Sequence, residues 1–135
     1  MSKLLKASLY EVGPEEPGRP RLLGGRCRCG YVFFPMQAYG CENCGRFGEA
    51  LQQEALAGRG TLLASAVVHL HADKSRAAPF TVVKVALDTG PVVRSLLAPD
   101  CAEVAPGQRL VTTLVEVGRS ESGEPVMDLR FTADA

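Results

Sequence analysis

A chain of 135 residues with fifteen Lys and Arg against fifteen Asp and Glu has no formal net charge at pH 7, which argues against a phosphate-gripping nucleic-acid surface as its main function. Hydrophobic residues make up 46% of it, enough for a core, yet no apolar stretch approaches the roughly 20 residues needed to span a bilayer. Met1 to Tyr10 holds Lys3 and Lys6 but no sustained apolar run or cleavage site, so the expected location is the cytoplasm, where disulfides are disfavoured.

Residues 1 to about 12 read as a short amphipathic helix, with Leu4, Leu5, Ala7, Ser8 and Leu9 on its apolar side. Such a helix is too short to stand alone and needs a host surface. Gly13-Pro14-Glu15-Glu16-Pro17-Gly18-Arg19-Pro20 breaks any helix and behaves as a linker, so residues 1–20 form an N-terminal helix and linker.

Residues 21–48 contain Cys27-Arg28-Cys29-Gly30 and Cys41-Glu42-Asn43-Cys44-Gly45. Two close thiol pairs, each followed by glycine, suit the two knuckles of one structural zinc site with Cys27, Cys29, Cys41 and Cys44 as ligands. The second pair has the ordinary two-residue gap. The first has only Arg28 between its thiols, and it can reach one metal if Arg28 is turned outward. An incomplete site without metal and a redox Cys-x-x-Cys are the alternatives; the latter normally opens a helix, whereas Cys41 follows Gly40 in a turn-rich arm. Four sulfurs close a zinc site, which is then structural. The arm Tyr31-Val32-Phe33-Phe34-Pro35 is too apolar for so small a module to bury by itself, and packs on the next domain or on a partner.

Residues 46–57, with Phe47, Leu51, Ala55 and Leu56, read as a bridge. Strand patterns follow over 60–70, 80–87, 91–97, 108–117 and 126–131, and Asp88-Thr89-Gly90 makes a hairpin of the second and third. Five strands with short turns predict an OB-type Greek-key barrel over residues 49–135, and Gly58-Arg59-Gly60 supplies curvature for its first strand. The fold expected is therefore mainly β: a short helix, a four-cysteine zinc ribbon and a five-stranded barrel. Cys101 reads as a lone small apolar residue.

The order and spacing of Cys27, Cys29, Gly30, Phe34, Pro35, Cys41, Cys44, Gly45, Gly58, Gly60, Pro79, Leu87, Asp88, Gly107 and Phe131 resemble the zinc-ribbon/OB-fold proteins associated with acyl-CoA enzymes. The departure is the compressed first knuckle. The resemblance implies a small non-catalytic accessory subunit that binds thiolases or related acyl-CoA enzymes in a hetero-oligomer and helps to position acyl-CoA, with structural zinc as its cofactor. Within the family, residues 24–35 look most like partners of thiolase-type enzymes, whose catalytic residues would lie on the other chain.

The residues themselves agree with an accessory role. His69 and His71 lie two apart on one strand without a carboxylate or nucleophile placed beside them, and no phosphate-binding glycine motif precedes a helix. A CoA thioester asks for cations and an apolar wall, which Arg26, Arg28, Arg46 and the Phe33-Phe34 arm offer as the CoA or partner contact; Lys74 and Arg76 are further cations. The rival class is a zinc-ribbon/OB nucleic-acid module, against which stand the zero net charge and a barrel whose only aromatics are Phe80 and Phe131.

Overall fold

The computed structural model describes residues 3–14, 16–68, 79–101 and 103–134, so His69, His71, Lys74 and Arg76 lie outside the described residues. The described chain is mainly β, built from ten strands and one 3-10 turn at Gly48–Ala50. The N-terminal helix is not formed. In its place stand β1 (Lys3–Leu4), a turn, and β2 (Tyr10–Glu11). The expected host surface exists, but it recruits these residues as strands: Lys3 and Leu4 run parallel to Val126 and Met127, which satisfies backbone groups that a helix of this length would leave frayed.

Two sheets follow. One is organised on β3 (Arg21–Cys27): β2 and β4 (Val32–Phe33) take the two halves of one edge, and β5 (Leu51–Leu56) takes the whole of the other. The segment read as a bridge therefore contains a strand of this sheet. Gly25 is required where β4 crosses, because a Cβ there would sit 2.4 Å from the Phe33 ring.

The second sheet runs β1-β10-β9-β6-β7-β8, with β6 at Arg59–Val68, β7 at Phe80–Leu87, β8 at Val92–Leu96, β9 at Arg109–Arg119 and β10 at Pro125–Ala133. The predicted hairpin is present as β7–β8, with Val85 opposite Val93. Alternation gives this sheet its inner face: Val83, Val85 and Leu87 are buried while Lys84 faces out. A parallel bridge from Leu97 to Phe131 brings the far edge back to β10, so the sheet curls into a half-barrel.

The two sheets share one core. Tyr10, Leu22 and Leu56 from the first join Leu62, Val83, Val85, Leu110 and Phe131 from the second. A smaller cluster of Cys27, Phe33, Cys41 and Leu51 lies apart from it. At the junction the buried Thr112 hydroxyl donates to the Pro20 carbonyl at 2.7 Å, and Gly58 presses against it. A Cβ on Gly58 would lie 2.1 Å from Thr112 Oγ1 and 2.7 Å from the Pro20 oxygen, neither of which can swing away. Gly58→Ala is therefore expected to cost about 1–3 kcal/mol in urea unfolding. A variant as stable as the parent would show that the junction relaxes freely.

Candidate metal centre

Two turns deliver the four sulfurs. In the first, the Cys27 N–H donates to the Tyr31 carbonyl at 2.9 Å and the Gly30 N–H to the Cys27 carbonyl at 2.9 Å, folding Cys27 and Cys29 back on themselves. In the second, the Gly45 N–H donates to the Cys41 carbonyl at 2.9 Å and the Cys41 N–H to the Arg46 carbonyl at 2.8 Å. Gly30 and Gly45 close these turns with φ of 96° and 82°, a region that penalises any side chain. Arg28, the single residue between the first two thiols, is exposed, and its N–H ties the turn to the Ala50 carbonyl at 3.0 Å.

The ligand atoms of Cys27, Cys29, Cys41 and Cys44 all lie within 4.8 Å of one another. Cys27 Sγ is 3.5 Å from Cys44 Sγ and Cys29 Sγ is 3.7 Å from Cys41 Sγ. A tetrahedron with thiolates about 2.3 Å from zinc has edges of about 3.8 Å, so the four thiols fit a metal ion of that kind. Cys27 and Cys41 are buried and Cys29 and Cys44 exposed, which places the cluster at the surface with its inner half on Phe33 and Leu51.

Polar neighbours favour thiolate on the outer pair. The Asn43 amide donates to Cys29 Sγ at 3.6 Å; this bond, with the Tyr31 backbone N–H, brings the Cys29 thiol down to about 6. Cys44 is lowered by the Arg46 backbone N–H, and Arg46 also donates its guanidinium at 3.4 Å. At Cys27 the Cys29 backbone N–H pulls down, but burial and the neighbouring sulfurs outweigh it and push the thiol up to about 11. A divalent cation held by these four residues would favour thiolate at all four sulfurs. Four such ligands leave no open position for a reacting water.

The remaining predicted contacts are scattered in character. Arg26 is held by Glu54 through two contacts, Nε to Oε1 at 2.9 Å and Nη2 to Oε2 at 3.0 Å, across the outer face of the sheet. Phe33 is only 4% exposed and forms the small core behind the cysteines, stacked with Tyr31 at 6.4 Å. Phe34 turns the other way and packs against the main core. Arg46 faces the cysteines and Arg28 faces solvent. Tyr39 and Phe47, which flank the second cysteine pair in sequence, are exposed, at 86% and 75%.

One group escaped the sequence reading. Asp128 is buried on β10, where it accepts from the Tyr10 hydroxyl at 2.6 Å and from the Leu129 N–H at 2.9 Å, and pairs with Arg130. An aspartate between Met127 and Leu129 in an apolar strand was the available signal, since a buried carboxylate must be paired.

No protein-family model matches the sequence. Among solved structures the chain is similar to one described as "Ltp2-ChsH2(DUF35) aldolase", with a TM-score of 0.60 and 26% identity over 80% of this chain and 84% of that one. Among the described residues no helix is long and apolar enough to cross a membrane.

Proposed function

We propose that the chain is a non-catalytic accessory subunit of an acyl-CoA-processing enzyme complex. The observation that carries this reading is the likeness, over four-fifths of the chain, to a structure whose description pairs a DUF35 component with an aldolase. The cysteine cluster is read as a structural zinc site and residues 21–48 as its ribbon. The sheet order β6-β7-β8, closed on β10 and β9, supports an OB-type barrel within residues 49–135. The partner is read as a thiolase-type subunit, with a benzoylsuccinyl-CoA thiolase as the particular candidate and the catalytic residues on that chain. The contact with CoA or the partner is assigned to the cysteine end, with Arg28 and Arg46 at its surface, Arg26 beside them and Phe33 and Phe34 setting the arm.

The test is co-purification of the tagged chain from its native host. An acyl-CoA enzyme in stoichiometric amount is the expected companion, and Arg28→Glu is expected to weaken its retention about tenfold. Purification without such a companion, together with salt-sensitive retardation of single-stranded DNA, would replace the proposal with the nucleic-acid reading.

A further inference from the structure

A cleft of about 320 Å³ opens between β8 and β10, away from the cysteines. Its origin lies in the topology. Among the described residues these two strands join through the single Leu97–Phe131 bridge, and on the N-terminal side of it they part without forming a ladder. Residues 128–131 of β10 and 93–96 of β8 line the resulting gap, while Tyr10, Leu22 and Phe34 close its inner side.

The floor is apolar, from Val93, Phe131 and Phe34. The rim is cationic. Lys6 and Arg94 both border the cleft, and neither has an ion pair among the described residues. The one carboxylate in the wall, Asp128, is already occupied by Tyr10 and Arg130, so it adds little repulsion. Concave, mostly apolar, and provided with a few convergent polar groups, the cleft has the character of a small-molecule site at the lower end of the usual range of about 300–1,000 Å³.

We propose that the β8–β10 cleft binds an extended small molecule with an apolar arm and a phosphate or carboxylate head, the arm lying between the parted strands and the head against Arg94 and Lys6. The site goes beyond the accessory reading and stands on this chain alone.

The probes are octyl phosphate, octanoate and uncharged octanol, titrated below micellar concentrations into the full chain and followed by calorimetry and amide NMR shifts. One saturable site is expected for the two anions, with octanol at least tenfold weaker and shifts concentrated at residues 93–97 and 128–131. Octyl phosphate binding tighter than octanoate identifies the head as phosphate, and the reverse identifies a carboxylate. Arg94→Gln with Lys6→Gln is expected to weaken the anions about tenfold and leave octanol unchanged, and Ser95→Trp at the mouth is expected to abolish all binding. Equal binding of octanol and the anions, or wild-type shifts elsewhere on the protein, would overturn the proposal even if a variant failed to fold. Retention of the partner enzyme is measured on the same variants, so an empty cleft and a missing partner are separate results.

Discussion

Replacing Asp128 by alanine is expected to destabilise the fold by about 3–5 kcal/mol, because it leaves the Arg130 guanidinium buried without its counter-charge. Both side chains are largely enclosed, with 10% and 12% exposure, so water at the adjoining cleft replaces the lost partner only in part. The Tyr10 hydroxyl loses its 2.6 Å acceptor in the same step. In a domain of this size the change corresponds to a fall in Tm of roughly 10–20 °C. The defect should also depend on pH. Burial raises the Asp128 pKa, but the Tyr10 hydroxyl and Arg130 outweigh it and hold the carboxyl below its usual value, so its contribution is present above about pH 4 and is lost as pH falls through the folded-state value. Tyr10, pushed up to about 12 first by burial and then by Asp128, contributes below about pH 10, a contribution lost as pH rises from there towards 12. Urea midpoints of parent and Asp128→Ala should therefore differ most between about pH 4 and 10, converge below it as Asp128 takes up its proton, and narrow only in part above it, where the pair with Arg130 persists. A constant difference at every pH would refute the assignment.

Removing metal from the cysteine cluster is the second large effect. Structural zinc in small modules contributes apparent binding energies of about 10–16 kcal/mol at pH 7, and here the energy would support a cluster of only four buried residues, Cys27, Phe33, Cys41 and Leu51. One zinc per chain is expected by elemental analysis. Chelation, or Cys41→Ser, should open residues 27–50 to protease while β6 to β10 keep their amide protection, because the main core draws Tyr10, Leu22 and Leu56, not the cysteines, from the first sheet. Loss of partner retention should accompany the opening. Unchanged proteolysis after verified metal removal would show that the turns hold themselves.

What the sequence disclosed was what is local. The hairpin of β7 and β8 was legible because Val83, Val85 and Leu87 alternate with outward residues and Asp88-Thr89-Gly90 turns the chain. The four thiols were legible because the turns that gather them are only a few residues long. The N-terminal segment was misread because Leu4, Leu5 and Leu9 fit a helical side as well as an edge strand, and the deciding partner, Met127, is more than a hundred residues away. The strand Arg21–Cys27 was hidden by Gly24 and Gly25, which weaken a strand pattern and are present because Leu56, Phe33 and the β4 backbone approach too closely for side chains. Asp128 illustrates the same limit: its neighbours in sequence reveal that it is unusual, but not that Tyr10 will meet it.

That meeting has a kinetic side. The Tyr10–Asp128 hydrogen bond joins groups 118 residues apart, and β1 can pair only after β10 exists. Contacts of such sequence separation carry the entropy of closing a long loop before they return anything. During synthesis β2 can pair with β3 early, but β1 and the Tyr10 hydroxyl must wait for their partners until nearly the whole described chain has emerged. The latch of β1 on β10 closes last, and until it does that edge of the second sheet stays uncovered.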